Sequence, residues 1–173
     1  MIKLSKGQKW LLLLLVIYYI LSIQLIAQSL VINEIDDLDF TNVFRDENTL
    51  ILFVNTTIVI FSIILLLFQS FIYRLLILLF KVERFPSLMK SAFYLFVGYV
   101  PFIALTILIY FLMGGDYLVD IVQTPFFRVG NIFIVNLIYV LLVLKGNFLE
   151  LRKTIVFGVM LISINSLLLL FNF

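Results

Sequence analysis

Long apolar runs broken by short charged stretches set the pattern of this chain. A helix needs ~20 predominantly apolar residues to cross a ~30 Å hydrocarbon core at ~1.5 Å per residue. Five runs meet that length or come close: 10–32, 50–73, 91–113, 126–144 and 154–173. The fourth is the shortest, and Arg128 lies near enough to its end to snorkel outward. The predicted fold is all-α, a single domain over 1–173 built as a bundle of five transmembrane helices.

Composition removes the soluble alternative. Of 173 residues, 64% are hydrophobic and 13% charged, and the mean hydropathy is +1.23. One water-soluble core of this size cannot hide so much apolar surface. The protein is read as multi-pass, with the lipid bilayer as its first partner.

Charge placement orients the bundle. With the N-terminus in the cytoplasm, the inner segments hold Lys3, Lys6, Lys9, Arg74, Lys81, Arg84, Lys90, Lys145, Arg152 and Lys153. The outer segments keep only Arg45 and Arg128, together with Glu34, Asp36, Asp37, Asp39, Asp46, Glu47, Asp116 and Asp120. By the positive-inside rule the N-terminus is in and the C-terminus out. A Lys-rich start followed by Ala27-Gln28-Ser29 resembles a secretory signal, but the apolar run exceeds a usual signal core, so an uncleaved helix is expected.

Two connecting segments stand out. The acidic outer loop 33–49 is read first as a solvated loop; Asp36, Asp37, Asp39, Asp46 and Glu47 are the candidate partner surface for a cationic peptide. The basic linker 74–90 has two readings: a short helix along the interface, or a second helix projecting past the membrane. Pro86 is expected in the first turn of the third span.

Chemistry is sparse. Cysteine and histidine are absent, which removes thiolate nucleophiles, disulfides and the commonest general base and metal ligand. No metalloprotease, serine-hydrolase or phosphate-loop motif occurs. Asp116 and Asp120 would share a face if their loop were helical, and read as surface charges. The expectation is no enzyme activity, no catalytic, cofactor or metal site, and no nucleic-acid partner.

Polar residues inside the spans are Gln24, Gln28, Asn55, Thr56, Thr57, Asn131, Asn136, Ser163, Asn165 and Ser166. The leading reading is interhelical hydrogen bonding that fixes the bundle, the other a lined cavity. Trp10 and tyrosines including Tyr73 and Tyr139 are read as scattered, several of them interfacial anchors. In the third span, Gly98 offers close approach to a neighbour. Pro101 orphans the Val97 carbonyl and predicts a kink, with that carbonyl buried against another helix or bonded by a Ser, Thr or Asn side chain.

Three stretches together resemble the YIP1 family of five-span membrane proteins: FQSFIYRLLILLFKVERFPSLMK, MKSAFYLFVGYVPFIAL with its Gly-Tyr then Pro, and NLIYVLLVLKGNFLELRKTIVFGVML with Leu144-Lys145 and Arg152-Lys153. The resemblance covers about residues 60–165. The chain departs from that pattern in having Lys81-Val82-Glu83-Arg84 where the family often has Gly-Gly, and is similar to short bacterial-type members. The resemblance implies a non-enzymatic protein of the bacterial cytoplasmic membrane that works through other proteins. Some bacterial members are encoded beside ABC exporters and linked to antimicrobial-peptide resistance. The leading function is therefore an accessory or scaffold subunit of a transport or export complex, with an ABC exporter or self-association as the partnership. The alternatives are self-immunity against a membrane-active cationic peptide, and an oligomeric channel or permease.

Overall fold

A computed structural model describes the backbone of residues 1–35 and 47–170, and the side chains of 1–31 and 49–167. Six helices follow in order: α1 (Lys6–Ile35), α2 (Glu47–Leu79), α3 (Leu88–Met113), α4 (Gly115–Gln123), α5 (Pro125–Lys145) and α6 (Leu151–Leu170). No strand occurs among the described residues; a single isolated bridge pairs Ile2 with Pro86. Among the described residues four helices are long and apolar enough to cross a membrane: Lys6–Val31 within α1, Thr49–Leu79 within α2, Leu88–Met113 and Pro125–Lys145. The chain is a multi-pass, all-helical membrane protein.

Local signals explain most boundaries. Ser5 and Gln8 form a reciprocal capping box at the start of α1: Gln8 N donates to Ser5 Oγ at 3.3 Å, and Ser5 N to Gln8 Oε1 at 3.0 Å. Ser87 caps α3 by accepting from Lys90 N. That helix stops at Gly114, whose φ of 92° suits a residue without Cβ. Thr124 caps α5 through Phe127 N, with Pro125 in the first turn, where a missing N–H costs nothing.

Three expectations change. The linker is helical in its first part: α2 continues through Arg74 to Leu79, and the chain turns at Lys81 with φ 53°. Pro86 sits one residue before the Ser87 cap, not in the first helical turn, because its carbonyl neighbour Phe85 and the Ser87 N–H are taken by Ile2. Residues 115–123, read as loop, form α4, which buries Leu118 and Val119 and leaves Asp116 and Asp120 exposed on the other side. Of the acidic loop, Asp36, Asp37, Asp39 and Asp46 lie outside the described residues, as does the Glu47 side chain.

The central helix is α3. It packs on α1, α2, α4 and α5, while α6 lies on α5 and meets α2. The most apolar window of α3 is 39% buried within the protein, against 17% for α1 and α2. Small residues let α3 take that place. A Cβ added at Gly98 would stand 2.9 Å from the Val135 carbonyl oxygen and 3.2 Å from Val135 Cγ1 on α5, so only glycine permits this helix spacing.

Pro101 lies inside α3, one turn beyond Gly98, on the exposed face. Its ring meets lipid rather than a neighbouring helix. The expected Ser, Thr or Asn bond to Val97 does not form among the described residues; those side chains bond Tyr19, Leu25, Phe53, Leu66, Ser70, Ile132, Leu161 and other groups.

The basic segments gather at one end. Ile2 N donates to Phe85 O at 3.0 Å and Ser87 N to Ile2 O at 2.9 Å, pinning the N-terminal segment to the α2–α3 connection. The Arg74 guanidinium lies over the Phe85 ring at 5.3 Å, and Lys90 Nζ stands 5.8 Å from the Phe148 ring in the α5–α6 connection.

Candidate functional site

Hydrocarbon offers no hydrogen bonds, so a polar side chain in a membrane helix finds a partner inside the protein, on another protein, or at the headgroups. Sorting the polar residues of the spans by this rule separates an inner network from an outer face.

The inner network centres on Tyr73 of α2, only 2% exposed. Its hydroxyl donates to Asn136 Oδ1 of α5 at 2.5 Å. The same oxygen accepts from Gln69 Nε2 at 2.8 Å and from Asn165 Nδ2 of α6 at 2.7 Å. Asn136 Nδ2 and Asn165 Nδ2 turn back to carbonyls of their own helices, Ile132 and Leu161. Tyr99 of α3 donates to Gln69 Oε1 at 3.4 Å. One hydroxyl thus ties α2, α5 and α6, and Gln69 extends the link to α3.

A second cluster lies one turn further toward the basic end. Ser91 of α3 donates to the Ser70 carbonyl at 2.9 Å, and its hydroxyl shares a 2.6 Å hydrogen bond with Tyr139 of α5. Tyr73 and Tyr139 meet edge to face, ring centres 4.9 Å apart. Tyr94, Phe148 and Phe157 continue this aromatic floor.

Tyr73 also lines a cavity of about 460 Å³ with Gln69, Tyr99, Asn131, Asn136 and Asn165, and with apolar residues of α2, α5 and α6 between them. Asn131 also borders a second cavity of about 240 Å³ between α1, α4 and α5. Its Oδ1 is buried without a partner. The lining contains no Asp, Glu, Lys, Arg or His. It offers neutral donors and acceptors, suited to water or a small uncharged polar solute, and no group to relay a proton or attack a substrate. No group of three or more metal-ligating side chains occurs among the described residues.

The outer face holds the remainder. Gln24 and Gln28 are exposed on α1, and Ser163 and Ser166 on α6. Asn55 is buried on α2 apart from the cavity lining, its Oδ1 unpartnered. So the structure joins Asn136 and Asn165, sets Asn131 beside them, and leaves Gln24, Gln28, Asn55 and Ser163 separate.

Sequence reasoning missed the middle of the network. Tyr73 and Tyr139, read among scattered aromatics, are buried at 2% and 0% exposure. A signal was present: Gln69, Ser70 and Tyr73 fall on one helical face at i, i+1 and i+4, and Asn136 and Tyr139 on another at i and i+3. No family model, curated protein or solved structure matches the chain.

Proposed function

We propose that this chain is a non-enzymatic, YIP1-like protein of the bacterial cytoplasmic membrane, acting as an accessory or scaffold subunit of a transport or export complex. In this reading α6 completes five spans, with the N-terminus inside and the C-terminus outside. The clustering of basic residues at one end supports that orientation.

One observation carries the role. Trp10, Leu14, Ile17, Leu21, Gln24 and Gln28 are exposed along α1 at steps of four and three residues. At ~100° per residue they form one stripe about 80° wide. Gln24 lies roughly 21 Å beyond Trp10 at ~1.5 Å per residue, well within a ~30 Å hydrocarbon core. An amide facing lipid there has donors and acceptors beyond what its own helix backbone can take up, and another membrane-embedded chain can satisfy them. The four-three spacing is that of a helix–helix seam, and an amide in such a seam selects partner and register.

Affinity purification of the full chain in mild detergent tests this. A stoichiometric membrane partner, or a second copy, is expected, and Gln24→Leu with Gln28→Leu should release it while the monomer stays folded. A monodisperse monomer from native membranes, or a complex indifferent to both substitutions, contradicts the proposal.

The polar cavity favours a second reading, an oligomeric channel or small-solute permease. Against it stands Tyr73, a wall of the cavity that packs on Tyr139, which in turn packs on Phe157. Absence of flux from reconstituted vesicles across a broad solute and ion panel would dispose of this reading.

A further inference from the structure

The basic end of α1 carries a groove that shares only Ile17 with the stripe of the scaffold role. It holds about 770 Å³ between α1, the N-terminal segment and the start of α3. Its walls are almost wholly apolar, from Leu4, Leu12, Leu13, Val16, Ile17 and Met89, with Lys3, Lys9 and Ser87 along its margin.

Three features make this a built site rather than a lipid-facing crevice. The Ile2 bridge to the α2–α3 connection fixes the segment carrying Lys3, so that the groove is bordered by Lys3 of that segment and by Lys9 of α1. Neither ammonium is in an ion pair among the described residues. Ser87 is buried at the groove with its Oγ accepting from Lys90 N, so its hydroxyl hydrogen is free to donate. Two unpaired lysines therefore border an apolar slot that runs along α1.

We propose that this groove binds one anionic glycerophospholipid, its phosphate between Lys3 and Lys9 and an acyl chain along Leu12, Leu13 and Val16. Charge complementarity selects the headgroup, since two unpaired lysines beside a hydroxyl donor favour a monoanionic phosphodiester without a compensating choline. The apolar walls select a lipid over a free anion. Lys6 supplies the discriminating control: it lies between the two lysines in sequence, bears the same charge, and does not line the groove.

The test uses the full purified chain in detergent, titrated with phosphatidylglycerol or with phosphatidylcholine of identical acyl chains, and read by native mass spectrometry. One phosphatidylglycerol per chain is expected to be retained in preference to phosphatidylcholine. Combined Lys3→Gln and Lys9→Gln should weaken retention about tenfold, while Lys6→Gln stays near wild type. Leu13→Trp, at a half-exposed position, should block the slot and lower retention with every charge intact. Size exclusion of each variant separates lost binding from lost folding. Equal retention of the two lipids, an equal loss in Lys6→Gln, or full displacement by inorganic phosphate would each overturn the proposal. None of these outcomes depends on a protein partner at Gln24, so the two proposals fail separately.

Discussion

At the residue scale, the fate of each polar side chain follows from what surrounds it. Tyr73 has three side-chain partners within 2.8 Å. Tyr73→Phe should destabilise the bundle by about 1–3 kcal/mol, because Asn136 and Asn165 keep their buried polar atoms and lose the hydroxyl between them. Reversible unfolding in bicelles measures this; a change near zero would mean that the network carries no stability. Gly98 and Gly130 make a matched pair. Gly98→Ala drives a methyl against the Val135 carbonyl and should cost about 1–3 kcal/mol. Gly130→Ala meets nothing within 4 Å and should be neutral or stabilising by up to ~1 kcal/mol through helix propensity. Equal effects at the two positions would contradict the α3–α5 contact.

At the element scale, the long helices were legible and the short one was not. A run of ~20 apolar residues has one reading in a membrane protein, so 10–32, 50–73, 91–113 and 126–144 fall inside α1, α2, α3 and α5. Their ends were harder. Leu75 to Leu79 are apolar whether α2 runs on or bends along the interface, and only packing with the N-terminal segment and the α5–α6 connection favours continuation. The helix α4 escaped because its nine residues are too few for a span and carry Asp116 and Asp120. It is amphipathic, and Leu118 and Val119 dock it on α1, α3 and α5. Of the candidate site, Asn136 and Asn165 were visible as amides out of place in lipid. Gln69, Tyr73 and Tyr139 were not, since a tyrosine near a span end reads equally as an interfacial anchor. The exposed Asp116 and Asp120 also give the peptide-immunity alternative a specific test. Neutralising them together with Asp36, Asp37, Asp39, Asp46 and Glu47 should sensitise cells to a cationic membrane peptide if that alternative holds; unchanged survival retires it.

At the scale of the whole molecule, an inner lattice of neutral hydrogen bonds joins four helices, while amides remain on the outer surface. The lattice fixes α2, α3, α5 and α6 relative to one another, and the exposed face of α1 differs from that of α2 in carrying Gln24 and Gln28. This division suits a protein that positions others more than one that transforms a substrate. Topology is checked through unique labels, since the chain has no native cysteine. A cysteine at position 40 should react from outside and one at 147 from inside; the reverse pattern would invert the proposed orientation. The most direct test of the scaffold claim is a photo-crosslinking scan in native membranes. A photoreactive residue is placed in turn at 14, 21, 24 and 28 on the α1 stripe, and at 61 and 65 on the exposed face of α2. Adducts to one protein species at the α1 positions, and none to that species at 61 and 65, are the predicted result. Lipid adducts alone at every position, or capture spread evenly over both helices, would contradict it.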